Sequence, residues 1–518
     1  MAAHKDVPVP KDTTSYWRAS QALPRFPKLN ADRSFDIVVI GAGIAGVTSA
    51  YLLKREGARV ALIDRGRAVD IDTCQTSAHL SCVLDKPLTE LVNALGDDHA
   101  RAAWDAGLSA IATIDQIVRQ NGIDCGFAWV PGYIHAPVDR EATDNDRRDL
   151  IAEAGEAERL GFDARFVESA PFVDRPGVEV DNQARFNPRK YLRALLEKID
   201  GGGSAVFENT DATDVSADPV TVVTAGGKLT CRDVVIATHN PISGLASAAS
   251  ATILQTGLSL YTSYVAGGRA PKGSVPDALF WDTDSPYKYL RIDPHHGYDY
   301  VLYGGEDHKT GQAADTRTCV ERLEAAFRKL VPGVEIEHHW SGQVIETHDG
   351  LPFIGFTKPH QFVATGFSGN GMTFGTLAGV MAADALTARA NPWRALFDAT
   401  RNKAVHGVWD YLKENADYPY YMIRDRFAGP AGKSLRSVPR GSGRILEIDG
   451  HTVAAHRAHD GSTSTLSAVC THMGCRVRWN QLENSWDCPC HGSRFGVSGH
   501  VMSGPAEKPL APVDLSEK

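Results

Sequence analysis

Residues 35–46 read FDIVVIGAGIAG, and this stretch decides the fold of the larger part of the chain. Its first six residues form an apolar run typical of a buried parallel strand, and the glycine-rich turn after them leads into a predicted helix over Val47–Glu56. A second apolar run, Arg59–Ile63, predicts the next strand. A strand, a tight turn, a helix and another strand in this order indicate an α/β unit with a parallel sheet.

The glycine-rich turn has the spacing of a dinucleotide site. Gly41, Gly43 and Gly46 allow a tight turn and a close approach of the backbone, and Asp64 follows eighteen residues after Gly46. The start of the helix would face a pyrophosphate, and the Asp64 carboxylate would accept hydrogen bonds from ribose hydroxyls. The alternative is a glycine-rich turn in an unrelated α/β unit, and the motif alone does not separate FAD from NAD.

The whole-chain composition excludes several classes of protein. The length of 518 residues predicts more than one domain. The net charge of -9 argues against a nucleic acid partner. The N-terminal residues lack the apolar core of a signal peptide, and no apolar run is long enough for a transmembrane segment. We therefore expect a cytoplasmic protein.

Four of the nine cysteines crowd together near the C-terminus. Two thiolates and two imidazoles stand at Cys470, His472, Cys488 and His491, with fifteen residues between the two pairs. Such a set would hold a [2Fe–2S] cluster with cysteines on one iron and histidines on the other. A Cys₂His₂ zinc site is the alternative.

These residues closely resemble the Rieske iron–sulfur domain in its disulfide-containing form. The resemblance implies that Cys470 and Cys488 bind the first iron, that His472 and His491 bind the second, and that Cys475 and Cys490 form a disulfide. Ser493 is retained, but Phe495 stands where high-potential members carry a tyrosine that donates a hydrogen bond to a ligand sulfur. We therefore expect a potential in the lower half of the Rieske range of about -150 to +300 mV.

Several segments between the two motifs resemble the D-amino-acid-oxidase and glycine-oxidase superfamily. They are the strand-like run VVIAT at 234–238, the segment THDGLPFIG at 347–355 and the glycine run ATGFSGNGMT at 364–373. The resemblance implies FAD and a helix that begins at the glycine run beneath the flavin. The cofactor-binding residues predicted from these motifs are Gly41, Gly43, Gly46, Asp64, Arg65, Thr76, Ala237, Thr238, Asp349, Gly366, Gly369, Asn370, Gly371, Met372 and Thr373.

The predicted fold class is α/β, with a Rossmann-like FAD-binding domain, an antiparallel β substrate domain and a small all-β Rieske domain. Residues 1–426 form the FAD-dependent oxidoreductase part, and residues 427–443, rich in Gly, Pro and Ser, form a linker. Residues 444–518 form the Rieske domain. Amphipathic helices are predicted over residues 88–160, and a later helix over Thr376–Arg389.

Three residues of the antiparallel region are candidate catalytic groups. Arg291 would hold a substrate carboxylate in a bidentate pair, although an ion pair elsewhere is an equal alternative. His308 would act as a base, or it is a loop histidine, and Tyr289 is either a catalytic group or a half-buried sheet residue. Cys74 and His79 are nucleophiles that would allow a covalent link to FAD.

The two resemblances together imply oxidation of a small-molecule amine or amino acid. In the main hypothesis, FAD takes electrons from the substrate, the cluster receives them, and an external electron acceptor collects them. One alternative reverses the flow from an external donor, and another is an oxidase that makes H₂O₂. A Rieske oxygenase with His451 and His456 as iron ligands is disfavoured, because no acidic residue stands at the expected upstream offsets.

Overall fold

The structure is a computed structural model that describes residues 13–240, 258–313, 315–401, 434–448, 451–472 and 474–514. Its α-helices over these ranges are α1 (Tyr16–Ser20), α2 (Ile44–Arg55), α3 (Leu88–Leu95), α4 (Asp97–Asn121), α5 (Asp144–Arg159), α6 (Pro188–Ile199), α7 (Thr316–Leu330) and α8 (Gly371–Leu386). None of the helices within the described ranges has the length and apolar character needed to cross a membrane.

The strands fall into a long series before residue 366 and a shorter series after residue 441. The first series is β1 (Arg33–Ser34), β2 (Ile37–Ile40), β3 (Val60–Ile63), β4 (His79–Leu80), β5 (Ala128–His135), β6 (Ala164–Ala170), β7 (Arg175–Arg185), β8 (Ala205–Phe207), β9 (Ala212–Ala217), β10 (Val220–Thr224), β11 (Gly227–Thr230), β12 (Asp233–Ile236), β13 (Leu258–Pro271), β14 (Leu279–Asp282), β15 (Tyr289–Pro294), β16 (Tyr298–Lys309), β17 (Glu335–Thr347), β18 (Phe353–Lys358) and β19 (Gln361–Thr365). The second is β20 (Ser442–Ile448), β21 (His451–Arg457), β22 (Thr463–Ser467), β23 (Arg478–Asn480), β24 (Ser485–Asp487), β25 (Arg494–Gly496) and β26 (Val501–Ser503).

The nucleotide-binding unit is a six-stranded sheet in the order β18-β19-β12-β2-β3-β8. Its strands pair in parallel except β18, and all four residues of both β2 and β3 are buried, as expected for a sheet covered on both faces. Helices α2 and α8 pack closely, because a Cβ on Gly375 would lie 2.7 Å from Ile44 Cγ2. Their N-termini therefore lie at the same edge of the sheet.

A nine-stranded sheet forms the second layer, in the order β17-β13-β16-β15-β14-β5-β7-β4 with β6 beside β7. Its pairs are antiparallel except that of β14 with β5. Strand β5 lies inside the region 88–160 that the sequence predicted as helical, so that prediction was wrong for this segment. The segment forms a strand because it is buried within the sheet, where all of its last four residues are buried.

The C-terminal domain has two small antiparallel sheets, β20-β21-β22 and β23-β24-β25-β26. Trp486 and Phe495 are fully buried in its core. Of the predicted linker, residues 427–433 lie outside the described residues, whereas Val438 is buried beside Leu446 in this domain. The exact domain boundary stays a prediction.

Candidate active site and cluster site

A large cavity lies between the parallel sheet, the antiparallel sheet and the C-terminal domain. Its volume is about 1160 Å³, above the range of about 300–1,000 Å³ that is usual for small-molecule sites. Gly41 and Gly371 line it from the starts of the two glycine-rich segments, and Tyr289 lines it from the antiparallel sheet. The cavity therefore has room for a dinucleotide and a small substrate together.

The first glycine-rich turn is shaped to receive a pyrophosphate. A Cβ on Gly41 would collide with the Ala237 carbonyl, and one on Gly46 would collide with the Gly41 carbonyl. The Asp64 carboxylate accepts hydrogen bonds from the backbone N–H groups of Ala42 and Gly66, both at 2.8 Å. Asp64 thus fixes the turn and also lines the cavity, and burial raises the pKa of its carboxyl.

The second glycine run places another helix N-terminus on the cavity wall, beside that of α2. Helix α8 begins at Gly371, where no heavy atom would meet an added Cβ within 4 Å, so the approach from the cavity is open. The Asn370 side chain donates a 2.9 Å hydrogen bond to the Val83 carbonyl and ties the run to the strand-like segment after β4. The free N–H groups and dipole of α8 favour a negative charge there, as a reduced flavin carries.

The structure places eleven of the fifteen predicted cofactor-binding residues on the cavity wall. They are Gly41, Gly43, Asp64, Arg65, Thr76, Ala237, Thr238, Gly369, Asn370, Gly371 and Met372. The other four predicted residues do not line the cavity. Gly46 and Gly366 pack against Gly41 and Thr347, Thr373 is fully buried, and Asp349 forms an ion pair with Arg401 at 2.9 Å.

The structure places two of the three candidate catalytic residues outside the cavity wall. Arg291 is completely buried, and its guanidinium donates to the backbone carbonyls of Ala78 at 2.6 Å and Phe186 at 3.2 Å, so it does not reach the cavity. His308 is also outside the cavity wall, stacked at 5.6 Å on the ring of Tyr264. Burial lowers the pKa of His308, and its neighbours are Glu306 and the C-terminal domain's Asp487.

Tyr289 does line the cavity, with groups that the sequence did not single out. Its hydroxyl lies 2.9 Å from Ser263 Oγ. Asp307 lies on the same wall, and Tyr287 donates a 3.3 Å hydrogen bond to Asp85, which lies beside Gly369. Isolated acidic residues in loops and strands carry no motif, so only the fold could bring these groups together.

The two candidate positions for a covalent flavin link differ in location. His79 lines the cavity, and its pKa is lowered to about 3 by burial and by the charge of Arg291, so its ring is neutral. The Cys74 thiol lies outside the cavity wall and contacts Ser15 at 3.4 Å and Arg189 at 3.1 Å. Burial raises the pKa of Cys74, which makes it a poor nucleophile.

The four predicted cluster ligands converge between two loops of the C-terminal domain. Cys470 and Cys488 are both 2% exposed and interact through their side chains, and the His472 and His491 rings lie 5.0 Å apart at 85°. His472 Nδ1 is buried and has no hydrogen-bond partner, as expected of an atom that binds metal. A hydrogen bond with the Cys470 side chain and burial raise the pKa of Cys488 well above its ordinary value. Hydrogen bonds from the backbone N–H groups of Cys490 and His491 lower it, but by less. This donor set fits a [2Fe–2S] cluster.

The predicted disulfide between Cys475 and Cys490 is confirmed, with an S–S distance of 2.11 Å. Ser493 Oγ is fully buried and accepts a 3.1 Å hydrogen bond from the Ala506 N–H, so it holds the turn beside the second ligand loop. Phe495 is fully buried in the domain core and offers no donor to a ligand sulfur. The expected low potential therefore stays a prediction.

The second ligand loop, residues 488–493, packs against the antiparallel sheet of the FAD-binding part. A Cβ on Gly311 would lie 2.7 Å from the Cys488 carbonyl carbon, and one on Gly492 would lie 2.8 Å from Leu260 Cβ. Gln312 donates a 3.1 Å hydrogen bond to the Pro489 carbonyl, and Gln343 donates one of 2.9 Å to the Gly492 carbonyl. Gln343 also lines the cavity, so one side chain lies between the cavity and the ligand loop.

His451 and His456 do not form half of a mononuclear iron site. Both lie on β21, whose pairing with β20 is regular, and an odd separation of five residues puts their side chains on opposite faces. The His456 ring packs against Trp479 at 5.0 Å.

Comparison with known proteins agrees with this geometry. The family model of the FAD dependent oxidoreductases matches residues 36–385, and that of the Rieske [2Fe-2S] domain matches residues 433–514. YhfW of Bacillus subtilis (strain 168), described as a Rieske 2Fe-2S iron-sulfur protein, is 32% identical over 97% of each chain. Gamma-glutamylputrescine oxidoreductase of Escherichia coli (strain K12) is 23% identical, over 80% of this chain and 98% of its own.

Solved structures show the same fold for the larger part. Glycine oxidase from Geobacillus kaustophilus superposes with a TM-score of 0.57 at 20% identity, covering 71% of this chain and 99% of its own. L-proline dehydrogenase from P. horikoshii also gives 0.57, at 18% identity, covering 72% and 98%. The chain therefore belongs to the FAD dependent oxidoreductase family and carries a C-terminal Rieske domain, so that its cofactors are FAD and a [2Fe–2S] cluster.

Proposed function

We propose that the protein dehydrogenates a small-molecule amine or amino acid and passes the electrons from FAD to its own Rieske cluster and then to an external acceptor. The substrate class is supported by the names of its relatives, which include a glycine oxidase, an L-proline dehydrogenase and a gamma-glutamylputrescine oxidoreductase. FAD, held between the glycine-rich turn at Gly41 and the start of α8 at Gly371, would supply the acceptor for the hydrogen and electron pair of the C–H bond next to the amine nitrogen. Loss of a proton from the nitrogen would then leave a C=N bond.

The observation that carries the internal transfer is the contact made by Gln343. Its side chain lines the cavity, and its amide donates a 2.9 Å hydrogen bond to the carbonyl of Gly492, which follows the ligand His491. Residues 503–508 of the C-terminal domain also supply part of the cavity wall, including Ser503 and Ala506. The domain that holds the cluster thus closes the same cavity that holds the flavin, which favours electron transfer within one chain.

The docking of the two parts is specific rather than a loose tether. Leu482 of the C-terminal domain is buried in the same apolar cluster as Tyr264 and Phe327 of the larger part. Thr316 donates a 2.9 Å hydrogen bond to Asn480, and Ser341 donates to Glu483. The two parts are therefore joined by both apolar burial and hydrogen bonds, the two kinds of contact found in protein interfaces.

An anaerobic reduction experiment tests the direction of flow. N-methylated amino acids, D-amino acids and aliphatic amines are added to the holoenzyme, and flavin absorbance and the EPR signal of the reduced cluster are followed. We expect an active compound to bleach the flavin and to produce the cluster signal without an added mediator. The variant Cys470→Ser, which should lack the cluster and keep its flavin, should bleach without that signal.

Other outcomes would support the alternatives. In air, stoichiometric H₂O₂ with a cluster that never becomes reduced would identify an oxidase. Flavin that is reduced only from a chemically reduced cluster, and by no amine or amino acid, would identify the reverse flow. Either result would overturn the proposal.

A further inference from the structure

The cavity is strongly unbalanced in charge. Thirteen Asp and Glu residues line it, but the described lining residues include only three cationic side chains, Arg65, Arg67 and Lys508. Arg65 donates to the Met502 carbonyl, and Arg67 pairs with Glu208 at 3.4 Å, so both lie on the nucleotide side after β3. Lys508 belongs to the C-terminal domain, where its carbonyl accepts from Thr471. None of the three lies beside Tyr289.

Two carboxyl groups stand at the substrate end, and among the described residues neither has a cationic partner. Asp85 faces the cavity beside Gly369, and its hydrogen-bond donor is the neutral Tyr287 hydroxyl. The Asp307 carboxyl is hydrogen-bonded to the Ser263 side chain, and its Oδ1 is buried with no hydrogen-bond partner among the residues that the structure describes. Burial and the nearby carboxylates of Glu346 and Asp307 raise the pKa of Asp85 well above its ordinary value, and burial together with Glu306 raises that of Asp307 to about 7.

The basic residues nearest to this end are engaged elsewhere. Lys86 donates to the His348 carbonyl, Lys288 pairs with Asp139 at 3.0 Å, and Arg322 pairs with Glu306. Arg291 is enclosed among backbone carbonyls. A substrate carboxylate placed here would therefore meet two acids and no described guanidinium or ammonium group, which is unfavourable in a site that excludes water.

The remaining wall suits a carbon chain. Val265, Trp281 and Ile134 line the cavity next to Tyr289 and offer apolar surface. A cation with a hydrocarbon part would bury that part here and place its ammonium against the acids.

We infer that the substrate is a cationic aliphatic amine that has no carboxylate beside its nitrogen, held with an ammonium group against Asp85 and Asp307. The inference rests on the proposed function and narrows its substrate class from amines or amino acids to amines. An ammonium hydrogen-bonded to a buried carboxylate supplies the countercharge that the site lacks.

Two pairs of compounds that differ only in the carboxylate provide the test. They are 1,5-diaminopentane with lysine and pentylamine with norleucine, and each is added anaerobically to the holoenzyme at pH 8. The concentration dependence of flavin bleaching, or of the flavin spectral shift where no bleaching occurs, gives the affinity. We expect each amine to bind at least about tenfold more tightly than its amino acid.

Three variants locate the effect. Asp85→Asn and Asp307→Asn should each weaken 1,5-diaminopentane by about tenfold to a hundredfold, the usual value of a hydrogen bond to a charged group. Asp284→Asn is the matched control, because Asp284 also lines the cavity but already pairs with Arg140 at 3.5 Å. It should leave the affinity unchanged. Flavin content and visible spectra verify that each variant is folded.

The outcomes separate this inference from the proposed function. Amino acids that bind as tightly as the matching amines, amines that produce no spectral change, or equal affinities in the wild type, Asp85→Asn and Asp307→Asn would overturn the inference. Diamine binding that depends on Asp307 but never bleaches the flavin would support cation recognition and overturn the proposed oxidation.

Discussion

At the scale of single residues, the chemistry of the cavity depends on Asp307 and the groups around it. Its carboxyl faces Ser263 on β13 and Tyr289 on β15, with Glu306 next to it in the chain and Asp85 across the cavity. Burial raises the pKa of Asp307 to about 7, so its charge changes within the physiological range. At the cation site inferred above, its protonation state should therefore set how strongly a cation is held.

The affinity for a cationic substrate should rise with pH. Asp307 is neutral below about pH 7 and negative above it, so the KM for 1,5-diaminopentane should fall about tenfold per unit between pH 5.5 and 6.5 and level off above pH 8. Steady-state kinetics across this range measure the profile. Asp307→Asn should remove the part of the titration near pH 7, which distinguishes it from that of Asp282, whose pKa is raised to about 6, and from that of Asp85, whose pKa is also raised. If the pH dependence of KM were the same in Asp307→Asn as in the wild type, another group would be responsible for it.

The cluster potential should respond to a single hydroxyl group. Phe495 is fully buried opposite Trp486 on β24. In Phe495→Tyr, a new donor to a ligand sulfur should raise the potential by about 60 mV, the equivalent of a hydrogen bond of about 1.5 kcal/mol. Potentiometric titration with EPR detection measures both proteins. A wild-type potential near the top of the Rieske range would contradict the low-potential prediction.

At this scale the sequence was informative where residues occur in a motif. Cys470, His472, Cys488 and His491 could be predicted because two loops carry them at fixed spacing, and the structure brings them together. The buried position of Arg291 could not be predicted, because an arginine held by backbone carbonyls looks the same in sequence as one that binds a substrate.

At the scale of elements, the glycine-rich turns decide where the cofactor can lie. Gly46 is inside α2, and its α-carbon faces the Gly41 carbonyl with no space for a side chain. The turn and the first turn of the helix are therefore packed backbone to backbone. This contact keeps the N-terminus of α2 pointed at the cavity.

A methyl group at the contact between Gly46 and the Gly41 carbonyl should weaken flavin binding. Gly46→Ala should destabilise the protein by about 1–3 kcal/mol through overpacking and lower its FAD content. Gly155→Ala is the matched control, because Gly155 is an exposed glycine inside α5 with no heavy atom within 4 Å of an added Cβ. It should stabilise the helix by up to about 1 kcal/mol. Thermal unfolding and flavin content measure both, and equal effects would refute the packing argument.

The regular elements show what periodicity can and cannot reveal. Strands β2 and β3 were predicted within two residues, because buried parallel strands are short apolar runs. Helix α8 begins at Gly371 rather than at the predicted Thr376, since the glycine run is part of its first turn. Strand β5 was missed because its burial comes from β7 and β14, which are far away in sequence.

At the scale of the whole molecule, the C-terminal domain is docked so that its second ligand loop meets the antiparallel sheet. Gly311 adopts a left-handed conformation with φ of 79° and contacts the backbone of Cys488. Leu260 and Thr310 receive Gly492 in the same contact. Family resemblance predicted two domains, but no motif records which surfaces meet, so the docking could come only from the structure.

A side chain at this contact should separate the two redox centres. In Gly311→Ala, flavin reduction should be unchanged, whereas the later reduction of the cluster should be slower. Gly273→Ala is the matched control, because Gly273 has a similar φ of 77° but no neighbour within 4 Å of an added Cβ. Gly273→Ala should cause a similar local backbone strain but leave cluster reduction at the wild-type rate. Anaerobic stopped-flow absorbance measures both rates, and equal rates in the two variants would show that the contact is not on the electron path.

The most direct test of the central claim is the order and molecularity of reduction in the wild-type holoenzyme. An amine that reduces the flavin is mixed anaerobically with the protein at several protein concentrations, and rapid-freeze EPR follows the cluster. We expect the flavin to bleach first and the cluster then to be reduced at a rate independent of protein concentration. Cluster reduction at a rate proportional to protein concentration, or no cluster reduction, would contradict electron transfer within the chain.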